Sequence, residues 1–141
     1  MIVGEVMSRD VEFIAPDASA QEAAELMGEI DVGALPVGSA DRLQGIVTDR
    51  DILYRVVAKG LDPVKTRVRD VASRPVIACR SGDALQAAMD MMAANHVRRL
   101  PVQDPESGGV VGWITLADIS RTLLVGHAGL QTALREITEP S

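Results

Sequence analysis

Aromatic side chains are scarce: Phe13, Tyr54 and Trp113 make up 2% of the 141 residues. A platform that stacks the bases of single-stranded nucleic acid therefore has almost nothing to build with. Basic residues are few as well, 14 Lys and Arg against 20 Asp and Glu, and the net charge of −6 argues against a phosphate-backbone partner. A lone cysteine, Cys79, excludes an intramolecular disulfide and any cysteine-rich zinc site. No apolar run approaches the roughly 18 residues that a membrane span needs. Met1 is followed by no basic-then-apolar leader. The expectation is a cytoplasmic protein whose partners are neither nucleic acid nor membrane.

What is present is ordinary for a globular chain, 47% hydrophobic and 24% charged. With so few aromatics, the core must come from Val, Ile, Leu, Ala and Met. The telling feature is a repeat offset by about 65 residues. Ser19-Ala20-Gln21-Glu22-Ala23-Ala24-Glu25-Leu26-Met27 aligns with Ala84-Leu85-Gln86-Ala87-Ala88-Met89-Asp90-Met91-Met92. Ala34-Leu35-Pro36-Val37 aligns with Arg99-Leu100-Pro101-Val102. Gly45-Ile46-Val47-Thr48-Asp49-Arg50-Asp51 aligns with Gly112-Trp113-Ile114-Thr115-Leu116-Ala117-Asp118, after a slip that falls in a turn. A period this long, present twice, implies two similar half-domains rather than an extended array. Neither half could bury much core alone, so one shared core is expected.

Local patterns assign the elements. Residues 11–14 are β-prone and end at Ala15-Pro16-Asp17. A helix is expected over 19–30, with Ala20, Ala23, Ala24 and Met27 on one stripe and Ser19 with Glu22 at capping-box spacing. Strands are expected over 34–37 and 43–47, and Thr48 opens a helix that runs to about Lys59 before Gly60. In the second copy 76–79 reads as a strand, and Asp83 as the cap of a helix whose stripe is Leu85, Ala88, Met89 and Met92. Residues 99–103 and 110–114 read as a hairpin, Thr115 opens another helix, and 127–137 suggests a C-terminal one. Each half is thus β-α-β-β-α, and the fold class is α+β: two pseudo-symmetric repeats packed as one module. Expected boundaries are 4–60 for the first repeat, 61–68 for a linker, 69–125 for the second repeat and 126–141 for a helical tail.

These residues resemble a tandem pair of cystathionine-β-synthase-type (CBS) domains. The likeness rests on the Leu-Pro-Val strand, on the Gly-hydrophobic-hydrophobic-Thr-x-x-Asp segment, and on the lead-ins Val6-Met7-Ser8-Arg9 and Val71-Ala72-Ser73-Arg74. It covers about residues 4–125, and the chain is most similar to short bacterial proteins made of one CBS pair and little else. The resemblance implies a regulatory module that binds an adenine nucleotide in the cleft between its repeats. AMP, ADP and ATP are the expected ligands, with S-adenosylmethionine or NAD as further family ligands, and no cofactor is required. It also implies a disc-like homodimer and a protein effector.

Asp51 and Asp118 lie three residues after Thr48 and Thr115. That spacing by itself serves a helix cap, where a carboxylate offsets the positive helix end. A carboxylate can also accept two hydrogen bonds from a vicinal diol, and the two roles are compatible. In the family this aspartate holds the ribose. Arg98 and Arg99 stand where the first copy has Gly33 and Ala34, and resemble phosphate-contacting positions, with Arg50 adding to them. The alternative is a solvated strand entrance whose arginines pair with nearby acids. Consecutive strand residues face opposite ways, so one of Arg98 and Arg99 points inward. Val11, Phe13, Ala34, Val76 and Val97 line either an adenine slot or the core, and the sequence leaves both open.

An enzyme finds little support in these residues. Cys79 takes the place of Ile14, an apolar strand position, and so reads as a small buried hydrophobe. His96 sits near a helix end and reads as a cap or surface residue. His127 has no partner at metal spacing, and Gly108-Gly109 is a turn without the Gly-Lys-Ser/Thr of a phosphate loop. The rival to the sensor reading is a non-catalytic dimerisation or docking module with degenerate ligand sites.

Overall fold

A computed structural model of the chain describes residues 1–74 and 76–124. The suggested C-terminal helix, with Gly126 and His127, lies outside the described residues. The chain divides into two compact units, one of Glu12–Val76 and one that joins Met1–Val11 to the residues from Ile77 onward. Folded unit and sequence repeat are therefore offset. Each repeat's lead-in packs on the strands of the other repeat.

In the first unit, α1 (Ala20–Ile30) starts at Ser19, whose hydroxyl accepts the Glu22 N–H at 3.0 Å while the Glu22 carboxylate accepts the Ser19 N–H. This is the expected capping box. Ala20, Ala23 and Met27 are buried; Ala24 is exposed, and Leu26 packs on the core in its place. The helix stops at Asp31, which adopts the left-handed conformation at φ 55°. Strands β1 (Ala34–Gly38) and β2 (Leu43–Thr48) pair antiparallel, with the register shifting at Gly38. Gly38 has φ 118°, and a Cβ there would run into the Arg42 carbonyl, so the turn requires glycine. Of the β-prone residues 11–14, only Ile14 pairs, in a single parallel bridge to Val37.

The expected second helix is split. A short α2 (Asp49–Ile52) passes directly into a π-helical turn, Leu53–Val57, with Gly60 at φ 67° beyond it. The lead-in helix α3 (Val68–Val71) then closes the unit: Ala20 N–H donates to Thr66 at 2.8 Å and Val68 N–H to Ala18 at 2.8 Å. Val68 and Val71 are buried with Ile14, Leu35, Val37, Val47 and Val56. Each such valine contributes about 1.5–3 kcal/mol by leaving water.

The second unit repeats this plan with its own details. Pairing is confined to β3 (Cys79–Arg80), parallel to Val102 and Gln103, rather than to 76–79. Helix α4 (Leu85–Asn95) buries Leu85, Ala88 and Met92, and partly Met89. Its N-cap is Ala84 without a side-chain bond; Asp83 instead accepts the Arg80 N–H at 2.9 Å and closes the preceding turn. His96 ends the helix at φ 55°, matching Asp31. Both are residue types enriched in this conformation. Strands β4 (Arg99–Gln103) and β5 (Val110–Thr115) pair as expected, and α5 (Leu116–Leu123) follows. The lead-in enters through a 3-10 turn, Val3–Glu5, with Val3 fully buried. Ser8 then pairs with Trp113 through two backbone bonds of 2.8 and 2.9 Å.

Candidate functional site

The two Thr-x-x-Asp corners form at the same structural step, where the last strand of each hairpin becomes a helix. In the first unit Thr48 Oγ1 accepts the Asp51 N–H at 3.0 Å, and Asp51 Oδ2 accepts the Thr48 N–H at 2.9 Å. The Asp49 N–H donates to the Gly33 carbonyl at 2.9 Å, which ties the corner to the residue before β1. Asp51 is only 9% exposed and is a buried acid among the described residues. Two more side chains reach it. The Ser73 hydroxyl lies 3.2 Å from Oδ1 and 3.3 Å from Oδ2, and Arg55 Nε lies 3.8 Å from Oδ1. Arg55 also donates through Nη1 to the Val71 carbonyl at 3.1 Å. Burying a carboxylate is costly without such partners, so the cluster explains how Asp51 is tolerated.

In the second unit Thr115 Oγ1 accepts the Asp118 N–H at 3.1 Å, and Asp118 Oδ2 accepts the Thr115 N–H at 3.4 Å. The Leu116 N–H donates to the Arg98 carbonyl at 2.7 Å, the counterpart of the Asp49–Gly33 bond. Asp118 is half-buried, and its Oδ1 accepts Arg121 Nη1 at 3.3 Å. Arg121 Nε is buried and without a partner among the described residues. Both corners use one carboxylate oxygen on the backbone and turn the other toward side chains. Neither aspartate stands in bulk water.

The remaining expected site residues fall into two groups. Ala34 is buried in β1, facing Thr48 in the hairpin register; Phe13 and Val76 are half-buried in the same unit. Arg50 is exposed, its guanidinium 5.3 Å from the Tyr54 ring centroid, and lines an open depression with Asp49, Leu53 and Tyr54. In the other unit Val11 and Val97 are half-buried. Arg98 is exposed, whereas Arg99 is half-buried and pairs with Thr115 in the register. The two arginines thus differ in setting, as alternation along a strand requires.

Ser73, Arg55 and Arg121 escaped the sequence reading. Arg55 and Arg121 were open to detection, being four and three residues after their aspartates, the spacings that bring helix side chains together. Ser73 gave only the repeated lead-in as a sign, and the lead-in's pairing partner lies far away in sequence. Cys79 is 1% exposed, and burial, with Asp83 adding to it, pushes its thiol up to about 11. Such a thiol is far from the thiolate a nucleophile needs. No group of three or more potential metal ligands occurs among the described residues, and no described helix is long and apolar enough to cross a membrane.

Comparison with known proteins gives this geometry a family. The CBS domain model matches residues 3–58 and again 68–125. The CBS domain-containing protein YhcV of Bacillus subtilis is 36% identical over 118 residues, covering 84% of this chain and 82% of its own. The crystal structure of Hypoxic Response Protein I with two coordinated zinc ions superposes with a TM-score of 0.77 at 33% identity, covering 86% of this chain and 98% of that one. Inosine-5'-monophosphate dehydrogenase of Methanocaldococcus jannaschii is 34% identical over 116 residues, but these are 82% of this chain and only 22% of the dehydrogenase. The likeness to that enzyme is confined to a fraction of its length, while YhcV is matched across most of it. With both repeats matched and the alternation of strand and helix reproduced in each unit, the chain belongs to the CBS domain family.

Proposed function

We propose that this protein is a non-catalytic sensor that binds an adenine nucleotide through its Thr-x-x-Asp corners. In its family the CBS pair is a regulatory module. The observation that carries the reading is the corner built twice, at Thr48–Asp51 and Thr115–Asp118, with each aspartate drawn out of water and one oxygen not committed to the backbone. In this reading Asp51 or Asp118 accepts the two ribose hydroxyls, a charge-assisted pair of bonds. In the second unit Arg98 or Arg99 meets the phosphates and Val11 and Val97 offer apolar wall to the base; in the first unit Arg50 supplies the cation and Phe13, Ala34 and Val76 the wall. AMP, ADP and ATP are the ligands proposed, and the readout is a changed surface offered to a second copy or to an effector protein in the cytoplasm. A ligand shifts such an equilibrium only by its differential affinity for the two arrangements. Calorimetric titration of all three nucleotides tests this. Saturable heat that disappears in the Asp51→Ala/Asp118→Ala double variant supports it, and no heat with the unmodified chain refutes it.

A second reading, a dimerisation or docking module, draws on a different observation. Leu53, Tyr54, Val57, Leu61 and Val64 are all exposed, between 46% and 63%, over the π-helical turn and the residues that follow. Large apolar groups gathered on one stretch mark interaction surfaces more often than isolated ones do. A tight dimer that stays unliganded through nucleotide titration favours this reading over the sensor.

A further inference from the structure

We propose that Ser73 occupies the place of a ligand hydroxyl on Asp51, so that the first repeat's corner is closed to a diol until this serine lets go, whereas Asp118 is open. The proposal rests on the reading of the two aspartates as diol holders and makes them unequal. Ser73 Oγ sits nearly equidistant from both carboxylate oxygens, at 3.2 and 3.3 Å. That position astride the carboxylate is where one hydroxyl of a bound diol would donate. Oδ2 already takes the Thr48 N–H and Oδ1 faces Arg55, so a carboxylate with about four lone-pair sites has little left.

Nor is the serine loosely placed. Its backbone pairs with Ile46 in both directions, at 2.8 and 3.3 Å, and Arg55 grips the Val71 carbonyl two residues earlier. Among the described residues the second unit lacks this arrangement. Ser8, the matching lead-in residue, uses its hydroxyl to accept the Asp10 N–H at 3.3 Å. Among the described residues the side-chain partners of the Asp118 carboxylate reduce to Arg121, at 3.3 Å on Oδ1. A diol reaching Asp51 must displace a hydrogen bond to a charged group, a handicap of roughly tenfold or more in affinity. A diol reaching Asp118 faces no such competitor from the lead-in.

The test is calorimetric titration of the full chain with AMP, and with ATP as a second probe. The unmodified chain is expected to bind about one nucleotide tightly, and that site is lost in Asp118→Ala but kept in Asp51→Ala. Ser73→Ala is expected to gain a second site, about tenfold or more tighter than any first-repeat binding before. Ser73→Thr, which keeps a hydroxyl, is expected to behave as the unmodified chain. The proposal is overturned if the tight site is lost in Asp51→Ala instead, or if Ser73→Ala titrates unchanged. A ligand-free double-mutant cycle of Asp51→Asn with Ser73→Ala, read by urea unfolding, separates the two layers. Additive effects there overturn the Ser73–Asp51 contact whatever the nucleotides do. Coupled effects with no nucleotide bound by either chain overturn the diol reading, and with it the competition.

Discussion

Alanine at Gly112 probes the offset lead-ins most sharply, because Gly45, its counterpart, supplies an internal control. A Cβ at Gly112 would stand 2.8 Å from the Ser8 carbonyl oxygen and press on Met7 Sδ. At Gly45 it would stand 3.2 Å from the Ser73 carbonyl oxygen and 3.4 Å from Ala72 Cβ. The methionine can move aside, but a backbone oxygen at 2.8 Å cannot be relieved by a rotamer change. The lead-in must lift from β5, and the two Ser8–Trp113 bonds stretch or break. Overpacking costs about 1–3 kcal/mol, and each lost bond about 0.5–1.5 kcal/mol. Replacing a strand glycine returns about 0.5–1 kcal/mol. The net expectation for Gly112→Ala is a loss centred on about 3 kcal/mol, from the preceding terms. At Gly45 a yield of a few tenths of an ångström suffices, and the change should stay within about 1 kcal/mol. Urea unfolding reads this as a midpoint lower by about 1–2 M for Gly112→Ala, at an unchanged slope. Equal midpoints for the two variants would refute the argument that the residues 1–11 cross β5 at this glycine.

Ala84→Ser should stabilise the chain by about 1 kcal/mol, since Ala84 caps α4 without a side-chain bond where Ser19 caps α1 with one; thermal unfolding checks it, and no rise in Tm counts against it. Cys79 sets a pH dependence at the alkaline end. Its thiol moves from 9.0 to about 11 on folding, so in that window the folded chain holds a proton that the unfolded chain gives up. Stability is therefore complete below 9 and falls by about 2–3 kcal/mol as pH rises through 11; the decline should flatten in Cys79→Ala. Leu53→Asp with Val57→Asp should alter folding stability by no more than about 0.5 kcal/mol, both being exposed. If the apolar stretch docks a second copy, sedimentation should shift to smaller species.

Much of the fold was legible because its signals are local. Ser19 with Glu22, Thr48 with Asp51 and Thr115 with Asp118 are pairs three residues apart, and all three form capping boxes. The hairpins could be read because their registers depend on short turns with glycines at Gly38 and Gly108. What stayed hidden depends on partners remote in sequence. Residues 11–14 and 76–79 have strand-like composition, yet a partner is within reach only at Ile14 and at Cys79–Arg80. Asp83 has the chemistry of a cap, but the Arg80 N–H reaches it first. The helix after Thr48 contains no residue that foretells a π-helical turn. In the same way the Thr–Asp corners were visible as motifs, while Ser73 on Asp51 required knowing that one repeat's lead-in lies on the other repeat's strand.

The most direct test of diol recognition leaves the protein untouched and changes the sugar. AMP and 2′,3′-dideoxy-AMP share base and phosphate, so calorimetric titration of each isolates the hydroxyls that the aspartates are held to grip. Loss of two charge-assisted bonds should weaken binding by about tenfold at the least. Equal affinity for the two nucleotides would contradict the account.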